Sequence, residues 1–412
     1  MKRRQINAAF FLTIKNIKKM LNDIKFNRGE GGLGRALSGE DHISGMLAFV
    51  PAASLPAAFV TNKIKTIYSL PEAETAGVVT GLNDYLDAIH YQLETAFMAN
   101  SKAIIHLGLF PDVAGAVDLT KIVEIQRFAE GKIRQIAVFN MFNDFEVGDV
   151  VTIQAACDIL EAEHKPLSAV YAADFGTFTL ATLPDLRLQD AKNVTVILGA
   201  DGAGKGATLA ADSGIVAPIL GLTLGILSSA KVNENIGWVA RFNVAKNIIN
   251  EFDVPALMTG ELVKNVAPSA LSDLNAKGYV FLLKHIGTAG TYFNDSHTAK
   301  VVTSDYAYIE NNRTIDKAVR GVRSFLLPSL NAPLYVNTDG TLTEDTIAAF
   351  RNDALRALEQ MEREGEISAK DVLIDPAQNV LSSSKLQITI KIVPVGVARN
   401  IEVNIGFAVK IK

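Results

Sequence analysis

The sequence is poor in the residues that carry thiol and metal chemistry. It has one cysteine, Cys157, and six histidines in 412 residues. A single thiol excludes an internal disulfide framework and fits a reducing compartment, and scattered histidines leave little material for a zinc site. An excess of one charge is missing too. Forty basic against 44 acidic residues give a net charge of −4, so nothing in the overall charge favours nucleic acid or an acidic membrane surface. Long hydrophobic runs are also lacking. Lys2, Arg3 and Arg4 before apolar residues 8–14 imitate a secretory signal. Lys15, Lys18 and Lys19 then interrupt the run, and no small-residue cleavage site follows. Met20 is an alternative start that would make residues 1–19 an upstream extension. Residues 213–230 carry no charge but are diluted by Pro218, Gly221 and Gly225, which predicts a buried helix of a soluble core and not a membrane span. No internal repeat is visible.

What is present is ample apolar material. Hydrophobic residues make up 49% and charged residues 20% of a chain long enough for two or three domains. From about residue 80, helical and extended patterns alternate. Leu82, Tyr85, Leu86, Ile89, Leu93, Ala96 and Phe97 recur at helical spacing, as do Ile122, Ile125 and Phe128. Residues 103–107, 133–139, 167–172 and 194–198 read as strands. Asp149 is placed to cap a helix burying Val150, Ile153, Cys157 and Leu160. This rhythm predicts parallel strands with crossovers, an α/β layer fold over residues 35–285.

The character changes after Gly287. A helix is expected over residues 314–327, with an apolar stripe at Ile315, Ala318, Val319, Val322 and Phe325. A second opens at Thr343, with Glu344 and Asp345 in its first turn, buries Ile347, Phe350, Ala354, Leu358 and Met361, and stops at Gly365. Two alternating runs close the chain. Leu386, Ile388, Ile390 and Ile392 form one; Ile401, Val403, Ile405, Phe407, Val409 and Ile411 form the other. At the opposite end, residues 1–34 read as an arm in which Leu21, Ile24 and Phe26 precede a hinge of Gly29, Gly31, Gly32 and Gly34.

No catalytic, cofactor or metal site emerges. Residues 199–206 meet the G-x-x-x-x-G-K spacing of a phosphate loop directly after a strand, but Gly206 stands where magnesium binding needs a hydroxyl. A nucleotide-binding α/β protein using Gly199 to Lys205 is therefore the alternative, beside a shell or scaffold protein of another assembly. Asp295, Ser296 and His297 supply triad residue types, but triads are assembled from separate elements, so a polar surface loop is expected. Cys157 and His164 lie about two helical turns apart, too far to pair. Two features ask for a role. The terminal alternating run needs a strand partner, and Arg313, Lys317, Arg320 and Arg323 recur at helical spacing as a basic face.

The order of features from Leu274 onward resembles the contractile-tail sheath family of bacteriophages and related injection machines. The resemblance rests on DLNAKGYV at residues 273–280, the glycine-containing loop at 287–298, YAYIENNR at 306–313 leading into a helix, the strand DVLID at 371–375 and a closing hairpin. ENIGWV at 234–239 and the glycine-rich arm are similar to the subgroup found in prophages of gut bacteria. The resemblance implies an α/β outer region, an α+β C-terminal domain over residues 286–399 and a terminal β-strand arm over 400–412. It also implies a helical homo-oligomer around an inner tail-tube protein, with baseplate and tail-terminator partners, no nucleic acid and no membrane insertion. Such a subunit belongs in a virion tail or phage-tail-like particle assembled in the bacterial cytoplasm. Leu21, Ile24 and Phe26, with the alternating residues from Ile401 to Ile411, would then pair between subunits. The basic face would meet the inner tube.

Overall fold

The computed structural model describes residues 39–246 and 251–407. Strands β1 (Ile43–Val50), β2 (Ile64–Ile67), β3 (Ile104–Pro111), β4 (Gln135–Asp144), β5 (Ser168–Asp174), β6 (Val194–Ile197), β7 (Gly199–Asp201), β8 (Pro255–Leu257) and β9 (Tyr279–Val280) fill the N-terminal part. Seven of them form one sheet in the order β2-β3-β1-β4-β5-β6-β9. All its pairings are parallel except β2–β3, and β7 pairs antiparallel with β8 beside it. The strands expected from sequence at 103–107, 133–139, 167–172 and 194–198 are β3, β4, β5 and β6.

Parallel strands need crossovers, and the crossover helices cover both faces of the sheet. The helices here are α1 (Ala57–Val60), α2 (Leu70–Thr75), α3 (Asp84–Ala99), α4 (Lys121–Phe128), α5 (Val147–Ala162), α6 (Gly204–Ser213), α7 (Leu220–Ser229) and α8 (Pro268–Ala276). Successive strand residues point to opposite sides. Met46, Ala48 and Val50 of β1 join α3 and α7 in one core, whereas Leu47 and Phe49 join α4 and α5 in another. Helix α3 starts where Asn83 accepts a hydrogen bond from the Leu86 N–H at 3.0 Å. Helix α5 departs from expectation. It begins at Val147 after Glu146, so Asp149 lies in the first turn, where its carboxylate accepts from the Tyr171 hydroxyl instead of capping.

The uncharged stretch at 213–230 is not one helix. Gly214, with φ of 74°, ends α6 in a left-handed turn, and Pro218 and Ile219 lead into α7. Helix α7 is buried along nearly its whole length against α3. Two of its glycines set the approach: a Cβ at Gly221 would stand 1.9 Å from the Gln92 carbonyl oxygen, and one at Gly225 would stand 2.4 Å from that of Ala96. The Gln92 side chain accepts from the Gly221 N–H at 2.7 Å, which ties the two backbones together.

Beyond the sheet lie short strands β10 (Leu282–Leu283) and β11 (Tyr292–Phe293), then helix α9 (Ile309–Leu326). Helix α10 (Glu344–Arg363), strand β12 (Ile367–Leu373), helix α11 (Val380–Ser383) and strand β13 (Thr389–Pro394) complete the described elements. This is a mixed α/β fold followed by a small α+β region, and the latter carries the candidate site.

Replacing Gly221 with alanine is expected to cost roughly 3 kcal/mol or more in urea unfolding, the upper end for overpacking, because neither backbone can yield. Gly148→Ala, in α5 with open space around it, serves as control and should raise stability by a few tenths to about 1 kcal/mol. Equal midpoints for the two variants would exclude the close α3–α7 approach.

Candidate functional site

The α+β region is built on a short apolar seam. Thr343 caps α10 by accepting from the Thr346 N–H, and Gly365, at φ of 73°, stops it in the left-handed conformation. Ala354, Leu358 and Met361 of α10 then pack with Ala318 of α9 and with Ile367 and Val372 of β12. Strand β13 pairs antiparallel with β12, with Val372 opposite Ile390 and Leu373 opposite Thr389. Ile388, Ile390 and Ile392 turn toward the helices, whereas Thr389, Lys391 and Val393 are exposed. Among the described residues this sheet has two strands, so both outer edges are open. A groove of about 580 Å³ runs between the outer face of α9 and β13, lined among others by Ile315, Val319, Val322, Leu326, Ile390 and Ile392.

The expected closing hairpin is corrected here. The run at 386–392 pairs with β12, and residues 400–407 have no strand partner among the described residues. Ile401, Val403, Ile405 and Phe407 are all exposed, Ile405 at 95%. The segment after Pro394 is instead tied to the body at Arg399. The Arg399 guanidinium donates from Nε to Asp295 at 3.0 Å, pairs with Glu310 at the start of α9, and lies 3.4 Å over the Tyr308 ring. Val409 and Ile411 lie outside the described residues, as do Leu21, Ile24, Phe26 and the hinge glycines Gly29, Gly31, Gly32 and Gly34.

The basic face of α9 is turned inward, which corrects its expected exposure. Arg313 is buried and donates to the carbonyls of Ala230 and Lys231 at 3.3 and 3.4 Å. Lys317 reaches Glu366 at 2.6 Å and Asp41 at 3.1 Å. Burial works against its charge, but Asp41 and Glu366 overcome it and hold the ammonium above its ordinary range. Half-buried Arg320 faces Asp41 and Asp316, and burial, with Arg134 close by, pulls its guanidinium down to about 10. Arg323 alone of the four is exposed. The periodicity was sound, but the acids that draw these cations inside come from distant parts of the chain.

With that geometry in place, family comparison is decisive. Residues 21–297 match the N-terminal domain of DUF2586 and residues 305–412 its C-terminal domain. The chain belongs to the DUF2586 family. No curated protein matches it. Among solved structures, a chain of the anti-feeding prophage baseplate matches at 16% identity and TM-score 0.58, over 94% of this chain and 100% of that one. The contracted sheath complex of the extracellular injection system PVC matches at 13% identity and TM-score 0.61, over 95% and 99%. The sheath tail protein Lin1278 from Listeria innocua matches at 10% and 0.52, over 87% and 96%. This DUF2586 chain thus has the tail-sheath fold.

In this family member the residues of both enzyme-like motifs have partners within the chain. At residues 199–206 the loop is organised around Asp201. The Asp201 carboxylate accepts from the N–H groups of Ala203 and Phe252 at 3.1 and 3.0 Å and from the Tyr91 hydroxyl at 3.3 Å. Lys205 pairs with Glu94. The expected surface loop at Asp295, Ser296 and His297 is instead buried. Asp295 and Ser296 both turn to the Arg399–Glu310 cluster, Asp295 meeting Arg399 and Ser296 donating to Glu310, whereas His297 sits apart between Asn275 at 2.8 Å and Arg187 at 2.7 Å. Burial pulls His297 down to about 4 and pushes the Cys157 thiol up. Sequence reasoning missed Arg399, Asp295 and Glu310 as a group. The only signal was the YAYIENNR stretch, which contains Tyr308 and Glu310.

Burial also pushes the Asp201 carboxyl up to about 6, against the backbone donors that favour its charge. The folded protein holds this proton to higher pH than the unfolded chain does. Its contribution is therefore fullest below about pH 4 and is lost as pH rises through the folded value. Asp201→Asn should remove that dependence. Between pH 4 and 7 the urea-unfolding free energy of the wild type should fall relative to the variant by up to ~3 kcal/mol. Parallel profiles would refute the assignment.

Proposed function

We propose that the protein is the structural subunit of a contractile tail sheath. It polymerises as a helical tube around an inner tail tube and contracts to drive that tube through a bacterial envelope. The observation that carries this reading is residues 400–407: a segment of alternating, exposed apolar side chains with no strand partner among the described residues. The fold match over nearly the whole length of sheath chains supports it.

The physics is strand addition between molecules. An extended segment laid along an open sheet edge gains main-chain hydrogen bonds, while alternate side chains enter pockets. The β12–β13 sheet offers such an edge, and the groove beside β13 is apolar, as Ile401, Val403, Ile405 and Phe407 require. Burying one such side chain fully contributes about 1.5–3 kcal/mol, so the arm is worth several times a surface ion pair. A donated strand is a heterologous contact, and when its rotation does not close it propagates a helix. The N-terminal arm, with Leu21, Ile24 and Phe26, takes the equivalent role at the other end, its glycines allowing the body to rotate while the pairing persists. Of the basic residues assigned to the inner tube, Arg323 keeps an exposed charge for that contact. Baseplate and tail-terminator proteins complete the partner set, in a virion tail or tail-like particle assembled in the bacterial cytoplasm. Contraction draws on the metastable extended assembly and consumes no nucleotide in this subunit.

Deletion of residues 400–412 should leave a folded subunit, with an unchanged unfolding midpoint, that forms no tubes under negative stain. Ile405→Lys, which keeps the backbone and spoils one pocket contact, should shorten or abolish them. Long regular tubes from the truncated protein would overturn strand donation. Unfolding of the truncated protein would overturn it as well, by placing the segment in the subunit's own core.

A further inference from the structure

Between the end of β13 and the exposed arm lie residues 395–399, outside any regular element. Val395 and Val397 are half-buried, and among the described residues the polar attachment of this segment to the body is the side chain of Arg399. Arg399 is three-quarters covered, with 26% of its side chain exposed, although its backbone runs along the surface. Its guanidinium enters a socket walled by two carboxyl groups. Glu310 is 2% exposed and Asp295 is 9% exposed. The socket is itself braced. The Asn235 side chain donates to Asp295 at 2.6 Å, and the Ser296 N–H donates to it at 2.8 Å. The Ser296 hydroxyl donates to Glu310. Tyr308, immediately before α9, supplies a ring face beneath the cation.

The socket does not move with the arm, because α9 is fastened to the body farther along. Lys317 joins it to Asp41 just before β1 and to Glu366 just before β12, and Arg313 joins it to the carbonyls of Ala230 and Lys231. A planar guanidinium held by two carboxylates and one ring face has its direction fixed as well as its place. The residue after it is the first of the arm.

We propose that Arg399 is a positioning residue that fixes the point and direction at which residues 400–412 leave the subunit. This rests on the reading of that segment as a donated strand. A donated strand reaches its acceptor in one register only if its origin is fixed, since a slip of one residue turns every apolar side chain to the wrong face. The short tether gives the arm a set origin without lending it a partner in its own chain.

The test measures the arm in the unassembled full-length subunit, so it is independent of tube formation. Spin labels at Val403→Cys and Glu359→Cys, the latter exposed on α10, report the distance from arm to body by double electron–electron resonance. Buried Cys157 stays in place. A single narrow distance is expected with Arg399, a broader one with Arg399→Lys, which keeps charge but loses the two-carboxylate fork, and no defined peak with Arg399→Ala. Because Arg399→Ala leaves two carboxylates uncompensated and risks misfolding, Arg399→Ala with Asp295→Asn and Glu310→Gln is measured beside it. That variant should fold with a wild-type unfolding midpoint and still show no defined peak. A narrow, wild-type distance in either alanine variant would overturn the proposal. Loss of tubes on deleting 400–412 together with unchanged distances would refute the anchor while leaving strand donation intact.

Discussion

A β-strand on its own is an unfinished object. Its N–H and C=O groups point sideways and need a neighbour, and its alternate side chains need a surface. Residues 400–407 have that character, and among the described residues no strand pairs with them. The proposed assembly follows from this one deficit. The same small region supplies the complement: a two-stranded sheet with open edges and an apolar groove between β13 and α9.

The rest of the molecule is tightly layered. The parallel sheet is covered on both faces by helices, so its apolar strands contribute to two separate cores. Helix α7 is pressed onto α3 at glycines where a methyl group would collide with main chain. Close-packed layers of this kind do not deform gradually.

Charge on α9 illustrates how position overrides composition. Arg313, Lys317 and Arg320 carry the spacing of a solvated basic stripe, yet they are drawn inward by backbone carbonyls and by Asp41, Asp316 and Glu366. A buried cation is tolerable only with such partners, and removing one partner leaves an uncompensated charge that is costly. The helix is thereby locked to the start of β1 and to the start of β12. Locking it gives Glu310, at its first turn, a fixed place to receive Arg399.

Several things were legible in the sequence because they depend on near neighbours. The spacing of Leu86, Ile89 and Leu93 was enough for α3, and the threonine at 343 with glycine at 365 bounded α10. The alternation from Ile401 onward set apart the run whose apolar side chains stand exposed. Those signals are local backbone physics, set within a few residues. Tertiary structure alone decided which strand β13 would pair with, that the triad-like Asp295, Ser296 and His297 would be buried with His297 turned away to Asn275 and Arg187, and that Asp201 would gather the N–H groups of Ala203 and Phe252. Each of these depends on groups brought together from distant parts of the chain, and no periodicity in one segment encodes the charge that another will place beside it.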